Sequence, residues 1–406
     1  MIKFWTHVVL KSPGSLTEAL EEGLRGQGKE WPQISGTPQA FFDRSKNLKW
    51  TFPANLYQQF VKAVTPEATP SFAGEFAFLR KHFPEIWIVD GSKLDAVAHR
   101  LKMLWDVRSP ILPGCLTAFY DLFRGYPRLL LFDPDAAKAE MNRVRKALDQ
   151  VPTGTLVVGD RLYASVKLFQ EFSQKGLWGL VRFNRTLNLR KLECLSQRRL
   201  NKGILEEWWV EAGTGSTAKP QTLRYIRFEE GTVKRELLTD VLEPEKLTAE
   251  AALDLYVRRW DVERMFFDLK KVLNLHTFYA ANPNGVALQV YAAALIYVAM
   301  KMAQGRAAEL GKVKPEEISP AKFYPRMAKV CGTLAGIELG YIRTCQMNPG
   351  IPLQPPDPTG MPEFTMPLEE ILVQKRTGTR RKRRFCKSRK EWKSFAHIPG
   401  GNSLIN

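Results

Sequence analysis

The sequence predicts a mixed α/β fold with a central sheet, on three observations. Short apolar, β-rich runs recur through the middle of the chain, stretches of helical period alternate with them, and a block of strand-like pieces fills residues 187–241. Residues 1–83 mix short helical patterns with basic residues and prolines, as in TPQAFFDRSKNLKW and ANLYQQFVKAV, which predicts a small helical region without a clear helix-turn-helix pattern.

From residue 84 the elements follow in order. EIWIVDGS reads as a buried strand that ends at Asp90, and LDAVAHRLKMLWDV as a helix. ILPGCLTAFYDLFRG and PRLLLFD read as strands joined by a turn at 125–127, and AAKAEMNRVRKALDQ as a helix. In GTLVVGDRLYAS a strand leads to Asp160; a helix near 166–174 and the strand LWGLVRF come next. The 187–241 block holds ILEEWWVEA, TLRYIRFEE and TVKRELLTDV, with a turn at Gly231. LTAEAALDLYVRRW opens a helix with Thr248 as its N-cap and Glu250 and Asp254 near its positive end. The apolar run 286–300 falls short of the roughly 20 residues that span a bilayer and contains Gln289, so it reads as a buried helix. Helical sequence continues to about Lys329. NPGIPLQPPDPTGMPEF then reads as an extended linker, and KRTGTRRKRRFCKSRKEWK, interleaved with Phe385 and Trp392, as a basic run that is either solvated or able to bind DNA phosphates non-specifically.

Composition narrows the function. The 406 residues, 44% of them hydrophobic, suffice for two or three folded domains, and a formal charge of +18 favours a polyanionic partner, with nucleic acid ahead of an acidic membrane surface. Five scattered cysteines without C-x2-C spacing argue against a disulfide scaffold or a zinc site, and point to a reducing cytoplasm. The N-terminus lacks the apolar core and cleavage site of a secretory signal.

The most specific feature is YVRRWDVERMFFDLK, residues 256–270. Tyr256, Arg259, Glu263 and Lys270 lie three, four and seven apart, so on one continuous helix all four project from the same side. Leu255, Val262, Phe266, Leu269 and Leu273 form the adjoining apolar stripe. An amphipathic surface helix gives the same spacing. Asp254, Asp261 and Asp268 are rival carboxylates outside the motif's acidic position, and Trp260 reads as core.

Y-x2-R-x3-E-x6-K resembles the YREK signature of bacterial insertion-sequence DDE transposases. DGS at Asp90 and GDRLYAS at Asp160 resemble that family's two Asp motifs, with Leu162 where the family usually has Gly. The resemblance covers residues 84–330. It implies a ribonuclease-H-like mixed sheet flanked by helices, a β-rich insertion at 187–241, an N-terminal region that binds DNA ends, and a homodimer on paired ends. It implies that Asp90, Asp160 and Glu263 are the catalytic and metal-binding triad for two Mg²⁺ ions, which Mn²⁺ can replace; such ions clamp the attacking and leaving oxygens of a phosphoryl transfer. Arg259 and Lys270 would hold DNA phosphates, and Tyr256 would bond a phosphate or stack on a base. Some members use a Trp of the insertion while forming a hairpin on the excised end. Trp208 and Trp209 are the candidates here, against a packing role in a strand. The implied function is a cut-and-paste transposase acting on insertion-sequence ends and target DNA in the bacterial cytoplasm, at the nucleoid. An inactive or domesticated relative and a basic structural DNA-binding protein are the alternatives.

Overall fold

The computed structural model describes residues 1–25, 36–94, 114–135, 139–200, 203–213, 219–275, 277–280, 282–328 and 368–373. Most of the expected helix at 94–107, the linker and the basic run lie outside them.

One mixed sheet organises the described residues. β1 (Ile86–Lys93), β2 (Cys115–Asp121) and β3 (Tyr126–Asp133) form an antiparallel meander, and β4 (Leu156–Gly159) and β5 (Trp178–Arg182) run parallel to β1. β6 (Leu189–Leu200), β7 (Gly203–Ala212), β8 (Gln221–Glu230) and β9 (Val233–Thr239) form antiparallel hairpins. β9 pairs with β5, so the nine strands lie in the order β3-β2-β1-β4-β5-β9-β8-β7-β6.

Helices α1 (Ile2–Lys11), α2 (Leu16–Arg25), α3 (Pro38–Asn47) and α4 (Thr51–Val64) precede the sheet. α5 (Glu140–Ala147) links β3 to β4, α6 (Val166–Gln174) links β4 to β5, and α7 (Ala249–Val257), α8 (Trp260–Lys271) and α9 (Pro283–Leu310) follow the last strand.

The strand period of two explains why β1 is apolar on both sides. Ile86 and Ile88 enter the core shared with α1, α4 and α7–α9, while Trp87 and Val89 enter the opposite core with Val144, Phe169 and Phe172. α9 is apolar around most of its circumference because it runs through the larger core. Its Tyr291 hydroxyl donates to the Leu130 carbonyl at 2.9 Å and accepts from the Phe132 amide at 3.2 Å, pinning the helix to β3. By length and composition α9 could cross a membrane, but 78% of its apolar window is buried inside the protein.

Three sequence expectations need correction. The hairpin turn spans residues 122–125, with Gly125 at φ 76°, and Pro127 lies in β3; that strand is the edge of the sheet, where a missing N–H is tolerated. Asp90 lies inside its strand, because β2 pairs with β1 as far as Lys93 and sets Asp90 opposite Ala118. The 256–270 segment is divided between two helices. Arg258 and Arg259 donate to the carbonyls three residues back, Leu255 and Tyr256, and this tightened turn ends α7 and starts α8. The apolar stripe survives the break, for Leu255, Val262, Phe266, Leu269 and Leu273 are all buried.

Candidate active site

The parallel register of β1 and β4 aligns Ile86 with Leu156 and Ile88 with Val158. Asp90, two residues beyond Ile88, and Asp160, the first residue beyond β4, therefore come at the same end of the sheet. α8 packs against β1 and carries Glu263 to the same end of the sheet.

Arg259 joins two of the carboxylates. Its guanidinium donates to Asp90 Oδ2 at 3.1 Å and to Glu263 Oε1 at 2.8 Å, and stacks over the Trp260 ring at 4.2 Å. Arg259 is only 7% exposed. Burial works against its charge, but Tyr256, Glu263 and Asp90 outweigh that cost and keep the group protonated. Asp90 Oδ1 accepts from the Gly91 amide at 2.9 Å. Burial nevertheless pushes the Asp90 carboxyl up to about 7, since Arg259 and the Gly91 amide offset the desolvation only in part and Glu263 and Glu140 add like charge.

Asp160 caps the short turn Arg161–Tyr163 by accepting from the Leu162 amide at 2.7 Å. The turn sends the Tyr163 ring inward against Gly159, where any side chain would collide with it. Tyr256 is half-buried. Desolvation raises its phenol pKa, with Arg259 and Arg182 acting in the opposite direction and Asp160 adding to the rise. Lys270 donates to Ser92 Oγ at 2.9 Å and to the Lys93 carbonyl at 3.0 Å, tying α8 to the end of β1.

The structure therefore brings Asp90 and Glu263 into contact with Arg259, with Tyr256 within electrostatic reach of Arg259, Asp160 within reach of Tyr256 and Glu140, and Lys270 on the same helix as Glu263. Trp208 and Trp209 are placed elsewhere. They lie on β7, five strand spacings from β1, roughly 24 Å across the sheet. Lys191 sits 3.9 Å over the Trp208 ring, and both indole N–H groups are covered without a hydrogen-bond partner among the described residues.

A fourth carboxylate was not anticipated. Glu140, at the start of α5, accepts a hydrogen bond from the Tyr163 hydroxyl and lies against Gly91, filling the space a side chain there would need. Its charge is felt by Asp90 and Tyr163, and the charge of Asp160 is felt by Glu140. The Gly after Asp90 and the Tyr three residues past Asp160 were visible in sequence; that both face Glu140 was not.

Carboxylate oxygens are the donors that suit a hard divalent cation. Among the described residues, however, no three acidic, His or Cys groups stand close enough together to hold an ion. The donor types fit Mg²⁺ or Mn²⁺, while the Arg259 guanidinium lies between Asp90 and Glu263.

Residues 112–299 match the family model of the transposase DDE domain. The match includes Asp160 and Glu263 and begins after Asp90. A probable transposase for insertion sequence element IS5377 from Geobacillus stearothermophilus is 22% identical over 148 residues, which is 36% of this chain and 38% of that protein. A putative transposase, y4zB, from Sinorhizobium fredii (strain NBRC 101917 / NGR234) is 25% identical over 195 residues, 45% of this chain and 51% of the relative. The chain thus spans about half or less of the curated relatives it matches. Among solved structures, the piggyBac transposase synaptic complex with hairpin DNA is similar at a TM-score of 0.39 and 11% identity, covering 89% of this chain and 84% of that one, too loosely to carry an argument. The family match and the two named relatives thus liken this chain to DDE transposases over part of its length.

Proposed function

We propose that the protein is an insertion-sequence transposase that cleaves DNA at element ends and joins them to target DNA, with Asp90, Asp160 and Glu263 as its catalytic carboxylates. The observation that carries this reading is the meeting of Asp90 and Glu263 on one buried guanidinium, with Asp160 at the adjacent strand end. The order β3-β2-β1-β4-β5, antiparallel through β1 and then parallel, supports a ribonuclease-H-like core. On this reading residues 1–83 form the end-binding region, 84–330 the catalytic domain interrupted at 187–241, and 331–406 a linker and basic tail. A homodimer on paired ends and a place at the cytoplasmic nucleoid go with it.

Asp90, Asp160 and Glu263 would hold two Mg²⁺ or Mn²⁺ ions, which when bound supply charge neutralisation and activation of the attacking oxygen. Phosphoryl transfer asks the protein mainly for positioning. Lys270 and the Ser92 it contacts fix the end of β1, so Asp90 and Glu263 keep one mutual position. Tyr256 would bond a DNA phosphate or stack on a base. Arg259, released from Asp90, would turn its charge to a phosphate. Trp208 and Trp209, set apart on β7, would stack on a base only of DNA that crosses the hairpins.

The test is nicking of a labelled duplex that carries the ends flanking the coding region, with Mg²⁺ or Mn²⁺. Cleavage that disappears in Asp90→Ala is the expected outcome, and uncut ends with pure wild-type protein would sink the reading. The presence of Arg259 between the two carboxylates favours a second reading, a transposase-derived DNA-binding protein that no longer cuts. That protein would retain affinity for the same duplex with or without the metal.

A further inference from the structure

A cleft of about 300 Å³ opens beside the carboxylates, and its walls are basic. Arg161, Arg182, Arg185 and Lys234 line it with Phe183 and Asn184, and Glu236 is the one acidic residue among the seven. Its position follows from the sheet. β4 and β5 are parallel with Gly159 opposite Val181, so Asp160, the first residue beyond β4, and Arg182, the last residue of β5, come at the same end of the sheet. The crevice beyond the carboxyl ends of parallel strands is where open α/β sheets bind ligands.

The walls are built rather than incidental. Asn184 holds a tight turn by accepting from the Thr186 amide at 3.2 Å and from the Leu187 amide through its own carbonyl at 2.9 Å, which presents Arg185 to solvent. The Asn184 side chain also donates to the Arg161 carbonyl at 3.4 Å, fastening this turn to the residue after Asp160. On the far wall the Glu236 carboxylate is already engaged, by the Tyr225 hydroxyl at 2.5 Å and by Lys234 at 3.0 Å. Phe183 packs edge-on against Tyr225 and supports that wall. Arg161, Arg182 and Arg185 are exposed at the mouth.

We propose that this cleft binds the backbone phosphates of a DNA strand as it enters the catalytic carboxylates, with Arg182 and Arg185 as the principal contacts. The proposal rests on the transposase reading and adds to it a binding surface outside the 256–270 segment. Arginine forks suit phosphodiester oxygens, and the sheet register fixes their distance from Asp160, so the cleft would set which phosphate reaches the carboxylates.

Fluorescence anisotropy of a labelled duplex across a salt series tests it on the full chain. Each lost phosphate contact lowers the slope of log affinity against log salt by about 0.9, so Arg182→Ala/Arg185→Ala should lower it by nearly 2. A control pair, Arg306→Ala/Lys312→Ala, removes the same charge from the end of α9 and should leave the slope at the wild-type value. A wild-type slope in the cleft variant, or an equal loss in the control, overturns the proposal. So does inorganic phosphate that stabilises the wild type but not the cleft variant while the DNA slope stays unchanged, since the cleft would then serve the free ion. Wild-type protein that binds no duplex at all overturns the transposase reading itself.

Discussion

The Tyr163 hydroxyl donates to Glu140, so a residue just beyond β4 orients the carboxylate that opens α5. Tyr163 is 1% exposed, and its ring lies against Gly159. Removing the hydroxyl leaves Glu140 without that donor. Tyr163→Phe should cost about 1–3 kcal/mol, read from urea denaturation. On the transposase reading, Glu140→Gln should also weaken Mn²⁺ binding about 10- to 100-fold, as loss of a group supporting the ligands does. Unchanged Mn²⁺ affinity by calorimetry would assign Glu140 to packing alone.

Arg259 balances two carboxylates in a nearly closed position. Arg259→Ala strips Asp90, whose side chain is 18% exposed, of its partner. Breaking a buried pair costs about 3–5 kcal/mol, and the lower end applies because Glu263 is 43% exposed. The loss should appear in thermal melts without metal and shrink when Mg²⁺ is added. A gap between variant and wild type that Mg²⁺ leaves unchanged would mean that no ion takes the place of the guanidinium.

Asp240 supplies a pH test away from the site. Burial pushes its carboxyl up to about 7, although one oxygen accepts from the Gly179 amide at 2.7 Å. The folded value lies above the unfolded one, so the stabilisation is complete below about pH 4 and is lost as pH rises through 7. Between pH 5 and 8 the loss is about 2–3 kcal/mol. Asp240→Asn keeps an acceptor for Gly179 and removes the titration. Its urea midpoint should gain on the wild type as pH rises over that interval, and parallel profiles would show that Asp240 does not titrate there.

Tyr291 fastens α9 to the edge strand β3 through both of its hydrogen bonds. Tyr291→Phe keeps the ring and leaves the Leu130 carbonyl and Phe132 amide without this partner. A loss of about 1–3 kcal/mol is expected, with faster hydrogen exchange at the Phe132 amide. Unaltered exchange there would place the anchoring of α9 in apolar packing alone.

Much of this was legible because burial leaves a periodic trace. Leu255, Val262, Phe266, Leu269 and Leu273 fall at helical spacing and are buried despite the break at Arg258–Arg259. Thr248 caps α7 through the Ala251 amide at 3.2 Å, as its place before an apolar run suggests. Glu140 left no such trace, since an acidic residue opening a helix is favoured at any N-terminus. Arg259 and Glu263 carried a signal that was read differently: a spacing of four is that of an ion pair, and the pair is what forms. The extent of β1 beyond Asp90 depends on β2, a partner about thirty residues away that local pattern does not specify.

The junction of β5 with β9 has a further consequence. Three residue pairs, Leu180–Thr239, Val181–Leu238 and Arg182–Leu237, join the hairpins to the rest of the sheet. Excising the hairpins would leave β5 as an open edge, with Leu180 and Val181 on a bare backbone ready to pair with another chain. The hairpins thus cover that edge, and a relative that shortened them would need another cover for β5.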